Sequence, residues 1–166
     1  ALAAGGPNAA ENSESWNGTN WTEGTDLNAT RMLLAAAGAN NTAVLVFGGQ
    51  NGNTPVGNQS ALTELWNGSN WTEVADLNNG RMQLAGCGIS TAALAFGGDA
   101  SPQAVTELWN GSSWSSVNVL NTARQRLGGA GTSTSALAMG GQPITGVTES
   151  WNGTNWTEVA DLQDVG

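Results

Sequence analysis

TELWNGSNWTEVADLNNGRMQLAGCGISTAALAFGG, residues 63–98, is the fullest copy of a unit that the chain writes four times. The copies are marked by the tryptophan pairs Trp16/Trp21, Trp66/Trp71, Trp109/Trp114 and Trp151/Trp156. The unit closes on an apolar run ended by Gly-Gly, found at Ala1–Gly6, Val44–Gly49, Ala93–Gly98 and Ala136–Gly141. Such a run reads as a strand buried on both faces and stopped by residues that accept positive φ. The next strand ends on the first Trp of each pair, at Ser13–Trp16, Thr63–Trp66, Thr106–Trp109 and Thr148–Trp151, and runs straight into Asn-Gly. Asn-Gly is a strong turn signal, because both residues tolerate a left-handed backbone. The chain therefore returns as a strand starting at the second Trp. The paired rings flank the turn, where they can brace the hairpin and pack between neighbouring sheets. Fully buried, each would contribute at most ~4–6 kcal/mol at ~25 cal/mol per Å². All eight are expected to be more than half buried.

Beyond the second Trp stand Asp26-Leu27, Asp76-Leu77, Val119-Leu120 and Asp161-Leu162, followed in three copies by Arg31, Arg81 and Arg124. Each Arg is expected to open a strand of small residues, with bodies Leu34–Gly38, Leu84–Gly88 and Leu127–Gly131. Side chains this small suit the innermost strand of a radial array, where sheets converge on an axis. The repeated Arg beside the repeated Asp predicts a structural ion pair between neighbouring repeats. The second copy carries an insertion within Gln50–Ser60, rich in Asn, Gly and Pro, which reads as a solvated loop. The whole is one domain, with repeats at about 1–30, 31–80, 81–123 and 124–166. It should hold short antiparallel strands with almost no helix.

Composition narrows the chemistry. The chain has no Lys, His or Tyr, 24 Gly and 8 Trp. Thirteen carboxylates against four arginines give a formal charge of −9, which repels polyphosphate, so nucleic acid is a poor partner. No apolar run is long enough to insert in a membrane as a helix. The lone Cys87 reads as a small buried apolar residue.

Arg, a small-residue strand, an apolar strand ending in Gly-Gly and two aromatics around a turn together resemble the kelch repeat. The Gly doublet and second Trp of that pattern fall on Gly5/Gly6 with Trp21, Gly48/Gly49 with Trp71, Gly97/Gly98 with Trp114, and Gly140/Gly141 with Trp156. Where kelch repeats usually show Tyr, this chain has the first Trp. The resemblance covers essentially the whole chain. It implies an all-β, kelch-like β-propeller of about four blades of four antiparallel strands, the first lacking its inner strand. The similarity of the copies also resembles environmental and phage-encoded tandem kelch arrays, which implies an extracellular or virion-associated role. The first copy enters at its apolar strand, so the inner edge of Ala1–Gly6 should be covered by a neighbouring chain, by Gln163–Gly166 or by a part of the protein outside this sequence. A four-bladed propeller, a piece of a longer array and a protomer completed by a second copy all fit.

The fold leaves function open. The copper-radical oxidase chemistry associated with kelch-like propellers needs Tyr and His, and zinc or Ser-His hydrolysis needs His. A carboxylate pair for glycoside hydrolysis stays open in principle. The acids recur, however, at the equivalent positions Glu23/Glu73/Glu158 and Asp26/Asp76/Asp161, which suits strand ends better than a unique active site. The reading is therefore a non-enzymatic binding or interaction scaffold with no cofactor or metal, facing a glycan or a protein surface; a self-assembling structural module is the alternative. Candidate ligand residues lie in the loops after the Gly doublets: Asn51, Asn53, Asn58, Gln59, Asp99 and Gln103. Asn-x-Ser/Thr sequons are numerous, but most belong to the repeated turn itself.

Overall fold

The computed structural model describes residues 1–6, 10–51, 58–99, 102–143 and 146–163. Among these residues there is no helix, and the strands form small antiparallel sheets. The first sheet holds β1 (Leu2–Ala4), β2 (Ser13–Trp16) and β3 (Trp21–Glu23). Next come β4 (Arg31–Met32), β5 (Ala35–Asn40), β6 (Ala43–Phe47), β7 (Gln50–Asn51), β8 (Thr63–Trp66) and β9 (Trp71–Val74). Of these, β5-β6-β8-β9 make the second sheet and β4 pairs with β7. The third sheet is β10 (Ala85–Ile89), β11 (Ala92–Phe96), β12 (Thr106–Trp109) and β13 (Trp114–Val117). The fourth is β14 (Gly128–Gly131), β15 (Ala136–Met139), β16 (Thr148–Trp151) and β17 (Trp156–Val159). The strand order anticipated from the repeats is thus observed, three strands and then three sets of four.

Each Trp pair sits directly opposite itself across its hairpin, as in Trp66↔Trp71 and Trp109↔Trp114. The turn between them is held by Asn67, whose Oδ1 accepts the N–H groups of Ser69 and Asn70 at 2.9 Å each, and Asn17, Asn110 and Asn152 act likewise. The recurring Asn therefore has a local structural task.

Three apolar layers lie between successive sheets. Leu27, Val46, Trp66 and Trp71 fill the first, with Leu2 and Ala4 from β1 against them. Leu45, Phe47, Leu77, Trp109 and Trp114 fill the second, and Leu94, Phe96, Leu120, Trp151 and Trp156 the third. The rule is constant: the Trp pair comes from the later sheet, while the Leu of the connecting segment and alternate residues of the apolar strand come from the earlier one. The β-strand period of two sends Leu45 and Phe47 forward and Val44 and Val46 back. Phe47 meets Trp114 edge-on at 4.9 Å between ring centroids, and Phe96 meets Trp156 at 5.0 Å.

The small inner strands lie side by side, β5 against β10 and β10 against β14. Their size has a local cause. A Cβ on Gly86 would stand 2.5 Å from Phe47 Cζ, and one on Gly129 2.7 Å from Phe96 Cζ. At the equivalent place on β5 the residue is Ala36, and the sheet before it offers Ala4 in place of Phe. The doublets answer to the same kind of crowding: Gly97 has φ 65°, and a Cβ there would lie 2.7 Å from the Arg124 carbonyl oxygen.

Two expectations need correction. The arginines do not open the inner strands: Arg31 belongs to β4, and Leu33, at φ 57°, turns the chain before β5 begins. Nor is all of Gln50–Ser60 a solvated loop. Gln50 and Asn51 form β7, and Ser60 is buried, its N–H donating to the Gly49 carbonyl at 2.8 Å.

Candidate functional site

Arg31, Arg81 and Arg124 are wholly buried, and each pairs with a Glu of its own repeat: Arg31 with Glu64 at 2.7 Å, Arg81 with Glu107, and Arg124 with Glu149. The partner is the strand-borne Glu and not the Asp expected from the sequence, and the pair lies within one repeat, not between repeats. The Asp caps instead, Asp76 and Asp161 accepting the N–H of Thr63 and Thr148. Burial pulls the Arg31 and Arg81 guanidinium groups below their ordinary pKa, while the facing Glu64 and Glu107 pull them back. Further bonds tie each guanidinium to the end of the apolar strand, Arg31 to the Gly48 carbonyl at 3.1 Å and Arg124 to Ala138 at 3.1 Å. Asn28, Asn78 and Asn121 then bind the same Glu from the connecting segment, as in the Asn78 N–H to Glu107 Oε2 bond of 2.7 Å. The sequence's most chemical-looking groups are thus absorbed in joining sheet to sheet.

Glu64 stands opposite Glu73, and Glu149 opposite Glu158, but the first of each pair is held by Arg. For Glu149, burial pushes the pKa up, yet the N–H of Asn121, the Arg124 side chain and the N–H of Thr122 together bring it below the ordinary value. A proton donor at neutral pH needs the opposite shift. Cys87 is buried, and desolvation lifts its thiol to about 11, which suits an inert packing residue.

The predicted loop residues come together in part. The Gln59 side-chain amide donates to the Asp99 carbonyl, joining the second and third loops. Gln59 also bridges Gln50, and the Asn51 N–H donates to the Asn58 carbonyl at 3.2 Å. Gln103 is partly buried and makes no hydrogen bond to Gln59 or Asp99. Asn53 lies outside the described residues.

Beside this cluster runs a feature that the sequence did not signal. Leu33, Gln83 and Arg126 all take φ of 55–57°, a strained conformation for residues with a Cβ. They form a ladder, with the Gln83 N–H donating to Leu33 at 2.9 Å and the Arg126 N–H to Gln83 at 2.8 Å. Arg126 also donates from Nε to Gln83 Oε1 at 3.0 Å. It is exposed, and among the described residues it is the one arginine outside a buried ion pair. Its position two residues past Arg124, shared with Leu33 and Gln83 after their own Arg, was the available clue.

A concavity lies elsewhere. A groove of about 400 Å³ runs beside β1, lined by Ala1, Leu2, Ala36, Ala37, Asn40 and Val44 among others. It occupies the position that an inner strand has in the other sheets, and among the described residues β1 pairs only with β2. Six Trp rings are no more than 5% exposed, whereas Trp16 is partly buried and Trp21 is 49% exposed, only just meeting the expectation. Both lie on the face of the first sheet that has no sheet before it.

A scan against known protein-family models returned no match, and a search of characterised proteins returned none.

Proposed function

We propose that the chain is a non-enzymatic interaction scaffold, a kelch-like array whose four sheets act as propeller blades, the first lacking its inner strand. The observation that carries this reading is the groove beside the unpaired edge of β1. Among the described residues that edge has no partner strand, and such an edge next to a trough of alanines suits an extended polypeptide, which adds main-chain bonds while small residues fill the trough. The buried Arg–Glu pairs support it too, because they spend the ionisable groups on the framework. The kelch-like resemblance and the acidic, lysine-free surface fit a protein presented at a cell or virion surface. A glycan is the second ligand class, favoured by the half-open ring of Trp21 near polar loops.

The test is amide exchange at Leu2–Ala4 with and without a peptide of residues 31–40, the sequence of an inner strand. Slower exchange with this peptide, and not with a scrambled one, is the expected result. Exchange unchanged by the peptide, together with a blank glycan array, would remove the reading. Turnover of an aryl glycoside would replace it with carboxylate catalysis.

A further inference from the structure

Four of the exposed large apolar side chains lie on the two outermost faces of the array. Trp21 is 49% exposed on the first sheet; Leu137 is 39%, Val159 42% and Leu162 44% exposed at the fourth. Three of them have buried counterparts inside the array, and Val159 repeats the partly buried Val74 and Val117. Leu162 repeats Leu27, Leu77 and Leu120, which are 2–3% exposed beneath the Trp pair of the following sheet. Leu137 repeats Leu45 and Leu94, both fully buried. Trp21 repeats Trp114 and Trp156, whose indole N–H groups donate to Thr63 at 3.1 Å and Thr106 at 3.0 Å of the preceding sheet. The next Thr in that series is Thr148, on the fourth sheet, and the next Trp in need of such an acceptor is Trp21. Met139 likewise stands where Phe47 and Phe96 receive those rings.

We infer that these two faces are the halves of one interface and that they mate between copies of this chain, head to tail. Leu162, Leu137, Met139 and Val159 of one copy cover Trp16 and Trp21 of the next, and the Trp21 indole donates to Thr148 Oγ1. Two faces that repeat the two sides of an interface already built inside the chain are complementary without further adjustment, which an unrelated partner would have to match anew. The contact is heterologous, so it either closes into a ring or runs on. The inference rests on the scaffold reading, under which two copies carry eight sheets, the upper end of the ~4–8 that radial arrays hold. Glu14 and Glu23 on one side and Asp161 on the other are all acidic, so salt should strengthen the pairing.

The test is sedimentation of the 166-residue chain over a concentration series. Mass above the 16.8 kDa of one chain, rising with added salt, is expected. Trp21→Ala, which spoils one half, and Leu137→Ser with Leu162→Ser, which spoils the other, should each weaken association at least tenfold. Mixing the two variants should restore a 1:1 dimer and nothing larger, because each keeps the half that the other has lost. Should Trp21→Ala fail to fold, Thr148→Val, which removes the acceptor hydroxyl together with its 3.4 Å bond to the Gly146 carbonyl, should still give a smaller loss of association than Leu137→Ser with Leu162→Ser. A chain that stays monomeric, or variants that do not rescue each other, would overturn the inference. A monomer whose β1 still takes up the 31–40 peptide would leave the scaffold reading standing.

Discussion

The third sheet and the first are built from almost the same residues and end in different states. In the third, Glu107 is buried against Arg81, Trp114 is 5% exposed, and its N–H reaches Thr63. In the first, the equivalent Glu14 is exposed, and Trp21 is half-open. A residue of this unit thus has no fixed burial of its own; it becomes core only when a neighbouring repeat supplies the other side, as the nearest-neighbour behaviour of repeat arrays requires. Trp71 falls between these cases. It is buried like Trp114, yet its indole N–H makes no hydrogen bond. Ser13 stands where the other sheets have Thr, and its hydroxyl donates to the Thr25 carbonyl at 2.8 Å.

The strongest way to break the comparison is to remove the acid in both sheets. Glu107→Ala strands a buried guanidinium and should lower stability by about 3–5 kcal/mol in urea unfolding, whereas Glu14→Ala should leave the midpoint in place. Trp114→Ala should cost a similar ~3–5 kcal/mol, and Trp21→Ala, read in dilute solution, under ~1 kcal/mol. If both pairs gave equal losses, the first sheet would be as tightly covered as the third.

Glycine offers a narrower contrast. Gly97→Ala meets both a positive φ and the Arg124 carbonyl at 2.7 Å, and should cost ~2–3 kcal/mol by thermal unfolding. At Gly18 the φ is 106° but nothing lies within 4 Å, so Gly18→Ala should cost only ~1 kcal/mol.

Acid probes the Arg124–Glu149 pair. Because Glu149 titrates below its ordinary 4.5 when folded, its contribution is present above that pH and is lost as the pH falls towards the folded value. Stability should therefore drop on acidification below 4.5, and Glu149→Gln, already weaker at neutral pH, should show a shallower decline. The smallest effect sharpens the comparison in the other direction. Ser13→Thr gives Trp71 the acceptor that Trp114 enjoys and should raise stability by ~0.5–1.5 kcal/mol.

Much of the fold was legible from four copies of one unit. The strands that end on the first Trp of each pair were read to the residue, since Thr/Ser at one end and Trp-Asn-Gly at the other punctuate them by local chemistry, and those after the turn were read to their starting Trp. The kink at Leu33, Gln83 and Arg126 was not legible, because nothing local marks a left-handed residue that is not glycine. The ion pair was read with the right Arg and the wrong acid: Asp76 is nearer in sequence to Arg81, but Glu107 is the carboxylate on the strand that the guanidinium crosses. Among the candidate ligand residues, Gln59 and Asp99 were brought together through a backbone carbonyl, which carries no sequence signal.

What the sequence by itself determined was the unit: strand period, turn chemistry, and the small residues required where an aromatic of the preceding sheet presses, Gly86 under Phe47 and Gly129 under Phe96 but Ala36 after Ala4. These follow from interactions along a few residues or from sizes that repeat in step. Only the tertiary structure decided which copies of a side chain are core and which are surface, because burial is a property of two faces meeting. Trp21 and Leu162 carry the same chemistry as their buried counterparts and differ in having no sheet across from them among the described residues.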